Sequence, residues 1–577
     1  MNVTKQWSFL PGLVGLWAAT IAGCVREYPV DHWIPGVQCA ADDHGREICL
    51  AERPDRSSTF PLAPECWQNT ASMDEPGINA QRMTLIDDGE EIVFAGTHGT
   101  NTDASEDTAR IAIARFDGGG ACPEMTWPEF AKVGHVANGA HVVGPNGRFW
   151  SFAGDVGGTQ AAWTYDRSSD PDWVRYAVES PPLVATSDLN WTLPNGLAIA
   201  LRASGVAIMR SVAWNDTNHS NGISTSLERW TFLPDGAPAL VAQTQIQPGM
   251  GYAAVQSMRG QLRLFPVGGC PPDGPGDRLV ALGDPGWAVA LPGVDSAAML
   301  ISTRSSVDAN DHRPNTGSTS VLLPLRPGSS YAPGSVLYIG GAPGNDVDPE
   351  DAQLDLFDPA CGTWTPSGGH LPRGRSFATP VLLPDGSILL AGDAQGAQDI
   401  FYIDPQRGFA VTVGHDTLNR MRGMGIGGLV LADGRVVLAG GNDPAGTEAR
   451  AFPDVDLWEP PYLHAANAAA RPTVAPLSGP IAIDSTFSIE LTTGSPAIAE
   501  VVLLAYGSSF MGNNPNQRLV ELTIDRDASD PASGTMVLHG PPAGWAPAGR
   551  YLLFALTADR IPSPGIPVDV VDSPAGP

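Results

Sequence analysis

The sequence feature that most constrains the fold is a short pattern that occurs twice, at residues 383–392 and 431–440. Each copy has an Asp-Gly pair, then an aliphatic run, then a closing glycine, as in Leu-Pro-Asp-Gly-Ser-Ile-Leu-Leu-Ala-Gly. Asp-Gly between apolar stretches predicts a β-hairpin, because glycine accepts the positive φ that tight turns require. The aliphatic run predicts a strand that is buried on both faces. The copies lie 48 residues apart, which indicates a structural repeat.

Weaker copies extend the repeat towards the N-terminus. A period near 50 residues is typical of kelch-type propeller blades, and two hairpins per unit make a four-stranded blade. We therefore predict a seven-bladed kelch-like β-propeller over residues 80–460, in preference to an array of β-sandwiches. The turn glycines of the seven units are Gly89, Gly147, Gly196, Gly260, Gly334, Gly386 and Gly434.

The composition is consistent with an all-β protein and argues against a nucleic-acid ligand. Glycine (66) and proline (53) are abundant and only 16% of the residues are charged, as expected for many short strands joined by turns. The formal net charge is −29, and Lys5 and Lys132 are the two lysines of the sequence. Binding to a phosphate backbone requires clustered cations, which the sequence lacks. We interpret the negative charge as a solvated acidic surface.

The N-terminus resembles a bacterial lipoprotein signal. Lys5 precedes an apolar stretch that ends in Ile21-Ala-Gly-Cys24 and is too short for a confident membrane span. We predict a signal peptide over residues 1–23 and a lipid on Cys24, with an ordinary secretory signal as the alternative. Val25 replaces the aspartate associated with inner-membrane retention. The expected location is therefore the bacterial cell envelope, at the outer membrane or cell surface.

Six cysteines remain after Cys24, at positions 39, 49, 66, 122, 270 and 361. An even number in an exported chain predicts disulfides, although six cysteines allow fifteen pairings. Cys39 and Cys49 would close a short loop inside a polar tether, which we place at residues 24–79. A metal site is disfavoured because no Cys-x-x-Cys or Cys-x-x-His spacing occurs.

Residues 461–577 have a different pattern from the repeats. Short alternating strands are predicted at residues 487–491, 500–506, 519–524, 536–538 and 551–556. Five strands in about 100 residues are typical of an immunoglobulin-like sandwich.

Several motifs of this part of the chain resemble the galactose oxidase and glyoxal oxidase family. They are Trp458-Glu-Pro-Pro-Tyr-Leu, Arg471-Pro, Gln517-Arg518, the segment 547–554 and Pro562-Ser-Pro. The domain order is also that of the family, a kelch-like propeller followed by an immunoglobulin-like domain. The resemblance is specific from about residue 297 to residue 570 and rests on the repeat pattern alone before that.

The resemblance implies a copper radical oxidase, but the ligand positions do not match. The family holds copper with two tyrosines and two histidines, and one tyrosine is linked to a cysteine and carries the radical. The matching positions here are Phe377, Met424-Gly425 and Met511, and no cysteine lies near residues 317–322. Phenylalanine and glycine provide no ligand atom, and a methionine thioether suits Cu(I) rather than Cu(II). We therefore expect no copper and no other metal or cofactor, and we name no catalytic residue.

The function predicted from the sequence is binding without catalysis. We expect a lipid-anchored propeller that binds a carbohydrate or protein, with an enzyme using an unrecognised site as the alternative. If the family's pocket persists, an acidic or neutral saccharide or an acidic peptide loop would bind there. The same residues could instead only fill the propeller axis. The candidate binding residues are Arg375, Phe377, Arg422, Met424, Met511 and Asn514.

Overall fold

The fold comes from a computed structural model. It describes residues 39–41, 47–51, 53–61, 78–98, 109–116, 124–126, 140–144, 147–154, 160–166, 170–178, 191–192, 197–201, 205–215, 221–233, 237–246, 261–265, 278–283, 287–291, 299–303, 318–341, 352–358, 363–393, 396–423, 425–441, 452, 454–510, 514–530 and 534–572. The lipidation prediction at Cys24, the binding predictions at Met424 and Met511, and the cysteines at 66, 122, 270 and 361 lie outside these residues.

The chain divides into two compact units, residues 1–50 and residues 51–577. In the first unit, strands β1 (Cys39–Ala41) and β2 (Glu47–Leu50) form an antiparallel hairpin. A disulfide joins Cys39 to Cys49 across this hairpin. The short disulfide loop predicted from the sequence is therefore confirmed.

The second unit begins with antiparallel sheets whose strands mostly follow one another along the chain. Among the described residues, seven such sheets precede residue 460, and the number of blades remains a prediction. Their strands are β3 (Arg56–Pro61), β4 (Ile78–Ile86), β5 (Glu91–His98), β6 (Ala109–Arg115), β7 (Glu124–Thr126), β8 (Ala140–Val143), β9 (Phe149–Gly154), β10 (Gln160–Asp166), β11 (Asp170–Val178), β12 (Trp191–Thr192), β13 (Leu197–Leu201), β14 (Gly205–Asn215), β15 (Asn221–Phe232), β16 (Pro238–Ile246), β17 (Gln261–Phe265), β18 (Arg278–Gly283), β19 (Trp287–Leu291), β20 (Met299–Thr303), β21 (Thr319–Leu322), β22 (Val336–Ile339), β23 (Gln353–Asp358), β24 (Thr363–His370), β25 (Thr379–Leu382), β26 (Ile388–Ala391), β27 (Ala397–Asp404), β28 (Ala410–Arg422), β29 (Ile426–Val430), β30 (Val436–Gly440) and β31 (Asp454–Glu459).

The two strongest sequence copies form the predicted hairpins. β25 pairs with β26 around the turn at Gly386, and β29 pairs with β30 around the turn at Gly434. Both glycines have positive φ, 83° and 93°. Every residue of β26 and β30 is buried, as the aliphatic runs predicted. Gly89, Gly147 and Gly334 also have positive φ, whereas Gly196 and Gly260 lie outside the described residues.

The closing glycines allow neighbouring blades to pack closely. A Cβ atom on Gly340 would overlap the carbonyl oxygen of Arg375, and one on Gly440 would overlap that of Ala80. In each case a glycine at the end of a blade's second strand meets the backbone that leads into the next blade. Gly440 is in the last blade along the chain and Ala80 is in the first, so the blades form a closed ring. The inner strand β29 accordingly lies beside β4.

Strand β3 closes this ring. It pairs antiparallel with β31 from Arg56↔Glu459 to Pro61↔Asp454, and so adds a fourth strand to the sheet of β29–β31. β3 belongs to the part of the chain that the sequence assigned to the tether. The structure shows that this part supplies a propeller strand, which the sequence did not predict.

The C-terminal domain is a two-sheet sandwich. Its core includes Val501, Leu503, Val520, Leu553 and Val568, all nearly inaccessible to solvent. The five strands predicted from the sequence are present within a few residues, which is consistent with an immunoglobulin-like domain. The strands are β32 (Ile481–Ala482), β33 (Thr486–Glu490), β34 (Glu500–Ala505), β35 (Ser508–Phe510), β36 (Leu519–Leu522), β37 (Ile524–Asp530), β38 (Thr535–His539), β39 (Gly549–Leu556) and β40 (Ile566–Val571).

Helical structure among the described residues is limited to short 3-10 segments, such as Pro405–Arg407, Pro461–Leu463 and Ala465–Ala470. None of the helices in the described part of the chain is long and apolar enough to cross a membrane.

Candidate functional site

A segment of the C-terminal domain reaches the inner strands of the propeller. Strand β35 pairs antiparallel with β4, with Ser509 opposite Met83. The Oγ of Ser509 accepts a hydrogen bond from the amide of Gly428 in β29 (3.2 Å). The Oε1 of Gln517 accepts one from the amide of Leu382 in β25 (2.6 Å). We call residues 507–518 the finger; its described residues contact three separate inner strands and hold the candidate binding residue Asn514.

Arg375 is fully buried and bound on several sides. Its Nη2 lies 2.8 Å from Oδ1 of Asp399 in β27, and its Nη1 donates to the carbonyl of the closing Gly392 (3.2 Å). The guanidinium also stacks on the ring of Phe401, 4.3 Å from its centroid. Burial lowers the pKa of Arg375, and the nearby Asp399 opposes this shift. Burial alone would raise the pKa of Asp399, but Arg375 and Arg373 bring it below its usual value.

Arg422 occupies the same place in the next blade and has corresponding partners. Its Nη1 donates to the carbonyl of the closing Gly440 (2.7 Å). Its Nε donates to Oδ2 of Asp456 (2.7 Å), and its Nη2 pairs with Oδ1 of Asp454 (2.8 Å). The side chains of Arg422 and Asp456 are both 0% exposed. Both arginines thus fasten the second and third strands of their own blades.

Phe377 lies between these two arginines in the sequence and has a strained backbone. Its φ is +54°, a conformation that costs about 1–2 kcal/mol for a residue with a Cβ atom. The backbone is fixed on both sides, because the amide of Ser376 donates to Asp393 (3.2 Å) and the hydroxyl of Thr379 donates to the carbonyl of Ile426. The Phe377 side chain is only partly buried. Strain that surrounding bonds maintain is typical of functional sites.

Asn514 acts within the finger. It is buried, and its Oδ1 accepts a hydrogen bond from the amide of Ser508 (3.1 Å). Its backbone carbonyl accepts the amide of Gln517 (3.1 Å). These bonds set the shape of the finger before and after residues 511–513.

The structure therefore separates the predicted binding residues by environment. Arg375, Arg422 and Asn514 are buried and bonded within the protein, whereas Phe377 retains exposed surface. Whether they bind a ligand remains a prediction. Sequence analysis missed Asp399, Asp454 and Asp456, the carboxylates that neutralise the arginines. The recurrence of an aspartate in the third strand after each Arg and closing Gly was the available signal.

The described residues do not fit the family's copper centre. Phe377 has no ligand atom and Gly425 has no side chain. No group of three or more histidine, cysteine, aspartate or glutamate side chains that could hold a metal ion occurs within the described ranges. The donor set that the family uses is therefore not available from Phe377 or Gly425.

The fold and this site define a propeller protein with a C-terminal early-set domain whose finger enters the propeller. A family model described as the galactose oxidase-like early set domain matches residues 471–570. The aldehyde oxidase GLOX of Vitis pseudoreticulata is 25% identical over 272 residues, covering 42% of this chain and 51% of that protein. A galactose oxidase of Gibberella zeae is 27% identical over 248 residues, covering 40% and 35%. The chain thus spans about half or less of the curated relatives that it matches.

A solved structure extends the likeness in fold to most of the chain. It is a fungal alcohol oxidase of the AA5 family in complex with copper, with a TM-score of 0.63 and 15% identity, covering 89% of this chain and 98% of that one. The domain match and the two curated relatives support a galactose oxidase and glyoxal oxidase-like family, whereas the solved structure supports the fold alone. The two curated relatives are oxidases, so the family is oxidase-like.

Proposed function

We propose that this protein is a non-catalytic member of an oxidase-like family, which binds a carbohydrate or protein at the bacterial cell surface. The observation that carries the proposal is Phe377 at the position of the radical tyrosine. A phenyl ring has no ionisable proton and no atom to bind a metal, so it cannot take over either role of that tyrosine. Gly425, at the position of a second ligand of the family, likewise has no side chain.

The partly exposed ring of Phe377 is the group at this site best suited to contact a ligand. An aromatic face can pack against the apolar face of a sugar or against a peptide side chain. The two arginines are less suited to recognise an acidic ligand, because Asp399, Asp454 and Asp456 already neutralise them. The charge of −29 further disfavours anions. We therefore favour a neutral saccharide over an acidic ligand at the propeller mouth.

Two measurements on the purified protein test this proposal. Elemental analysis should find no stoichiometric copper after incubation with Cu(II), and peroxide production should not exceed the background with sugars, primary alcohols or aldehydes. Stoichiometric copper with substrate-dependent peroxide would refute the proposal and favour an enzyme using an unrecognised site.

A glycan array then tests whether a saccharide binds at Phe377. Phe377→Ala should lose binding, whereas Phe377→Tyr, which keeps the aromatic face, should retain it. Equal binding by wild type and Phe377→Ala would mean that this ring only fills the propeller axis.

We also propose that Cys24 carries the lipid that anchors the protein. Multiple acyl chains give stable anchoring, whereas one chain is marginal. Cys24→Ser should move the protein from the membrane fraction to the soluble fraction. Unchanged membrane association of that variant would contradict the anchor.

A further inference from the structure

The C-terminal domain binds the Asp-Gly turns of three blades through their backbone. In each turn, a side chain of the domain donates a hydrogen bond to the carbonyl of an aspartate that lies one or two residues before the turn glycine. The pairs are Nε of Arg560 with Asp385 (2.9 Å), Nη2 of Arg471 with Asp433 (2.8 Å), and the hydroxyl of Tyr506 with Asp87 (3.0 Å). The last two turns belong to the last blade and the first blade of the ring, so the domain binds both sides of the junction that closes it.

At this junction, which we call the closure, the two turns also contact each other. The amide of Ala432 in the last blade donates to the carbonyl of Gly89 in the first (2.8 Å), and the carbonyl of Ala432 accepts the amide of Gly565 of the C-terminal domain (2.6 Å). A Cβ atom on Gly89 would lie 2.8 Å from Cδ2 of Leu552 and 3.2 Å from the hydroxyl oxygen of Tyr506. A glycine is therefore required for the first blade to approach the domain this closely.

The finger joins the same two blades at their inner strands. Its strand β35 pairs with β4 of the first blade, and the amide of Leu85 donates to the carbonyl of Gly507 (3.1 Å). Ser509 of the same strand accepts the amide of Gly428 in β29 of the last blade. The C-terminal domain thus bridges the closure at two levels, at the turns and along the inner strands.

The propeller in turn completes the C-terminal domain. Leu325, which follows β21, donates its amide to the carbonyl of Leu519 (2.8 Å) and accepts the amide of Glu521 (3.0 Å). Its side chain is fully buried in the core of the C-terminal domain. These bonds cover β36, the edge strand of the five-stranded sheet, whose backbone groups would otherwise lack partners on that side. The domain is therefore fastened to a blade outside the closure as well.

The closure is the junction at which the ring depends on strands from opposite ends of the propeller sequence. β3 pairs with β31 there, 398 residues apart at Arg56↔Glu459 at the most N-terminal pair and fewer at the others. The domain adds Tyr506, Gly565 and the finger to this one strand pairing, and Leu325 holds the domain in place. We propose that the C-terminal domain is a second clasp of the ring, which keeps the last and first blades together in addition to β3. The proposal requires no ligand at the propeller mouth.

Hydrogen exchange of the full-length protein, followed by mass spectrometry, tests the clasp. Tyr506→Phe keeps the ring but removes the hydroxyl that binds the first blade. Peptides containing the closure amides of Leu85 and Ala432 should exchange about two- to tenfold faster, the effect of one lost hydrogen bond on a local opening. The amide of Gly341, which bonds the carbonyl of Arg375 between two other blades, should not change.

Tyr551→Phe is the matched control, because its hydroxyl donates to the carbonyl of Pro547 within the C-terminal domain (2.9 Å). It should speed exchange in β39 and leave the closure unchanged. Unchanged closure exchange in Tyr506→Phe would overturn the proposal. So would an equal increase at Gly341, or an equal increase at the closure in Tyr551→Phe, since either would show that the closure opens only when the whole protein unfolds.

A pair of turn glycines provides a second test. Gly89 and Gly147 have similar φ, 84° and 77°, but nothing lies within 4 Å of a Cβ atom on Gly147. Gly89→Ala should therefore raise closure exchange by more than about tenfold, whereas Gly147→Ala should leave it unchanged. Equal closure exchange in the two variants would contradict the clasp, and if Gly89→Ala does not fold, Tyr506→Phe decides. The copper, peroxide and glycan measurements are independent of these outcomes, so the proposed function fails or stands separately.

Discussion

The carboxylate of Asp55 holds the start of the ring-closing strand, and its removal should destabilise the propeller strongly. Asp55 is buried and accepts hydrogen bonds from the hydroxyl of Tyr402 (2.8 Å) and the amides of His415 (2.8 Å) and Asp416 (2.9 Å). The Tyr402 hydroxyl in turn accepts Nε1 of Trp458 (2.7 Å). The network therefore joins β3, β27, β28 and β31.

The structure sets the expected size of the effect. Asp55→Ala leaves three donors without their acceptor, the buried hydroxyl of Tyr402 and the partly buried amides of His415 and Asp416, and each unsatisfied buried group costs about 1–3 kcal/mol. Water entering the vacated space offsets part of this, so we expect a loss of about 3–5 kcal/mol in the free energy of unfolding. Asp55→Asn keeps an oxygen for the two amides and should lose only about 1–2 kcal/mol.

The same network predicts how stability changes with pH. Burial raises the pKa of Asp55 above its usual 3.8, against the opposing bonds from Asp416, Tyr402 and His415. Because the folded state holds the proton more tightly, this group's stabilising contribution is complete below pH 3.8 and is lost as the pH rises through the folded pKa. Burial and the nearby Asp55 keep the pKa of Tyr402 well above 10, so the phenol stays neutral over the pH range in which Asp55 titrates. Asp55→Asn should remove this part of the pH dependence.

Urea unfolding followed by tryptophan fluorescence measures both effects, since Trp458 belongs to the network. Wild type, Asp55→Ala and Asp55→Asn are compared at several pH values from 3 upwards. A loss below about 1 kcal/mol for Asp55→Ala would show that the three bonds contribute little. A decrease in the wild type's Asp55-dependent stability towards acid pH would mean that the direction of the pKa shift is wrong.

Three further predictions concern the propeller interior. Arg422→Ala takes the buried guanidinium away from Asp454 and Asp456, although Asp454 keeps Arg420, and should cost about 3–5 kcal/mol in urea unfolding. Arg420→Ala, whose side chain is 49% exposed, should cost less than about 1 kcal/mol. Similar losses for the two variants would contradict the difference in burial. Gly440→Ala places a Cβ atom against a carbonyl of the next blade and should cost about 3 kcal/mol, against about 1–2 kcal/mol for Gly408→Ala, which also has positive φ but open space around it. Gln517→Ala removes the bonds between finger and β25 and should lower the free energy of unfolding by about 1–3 kcal/mol, and an unchanged value would mean that the finger is not fastened there.

The sequence by itself determined the local structure of this protein. The Asp-Gly turns at Gly386 and Gly434, the buried strands that follow them and the Cys39–Cys49 loop are each formed within a few tens of residues. Turn geometry and strand burial depend on φ and on side-chain type at adjacent positions, so a periodic pattern is sufficient to predict them. The motifs around Trp458 and Arg471 likewise indicated the family.

Only the tertiary structure decided which distant strands meet. Asp55 bonds to a side chain 347 residues away, and Thr84 in β4 meets Ser508 of the finger across 424 residues. Backbone edges offer the same amide and carbonyl groups whatever the sequence, so no local pattern assigns β3 to β31 or β35 to β4. The aspartate partners of the two arginines could not be predicted from the sequence for the same reason. Arg375 and Arg422 remain candidate binding residues. Folding brings aspartates from the third strands of their blades to both buried guanidinium groups, which no local pattern around the arginines indicates.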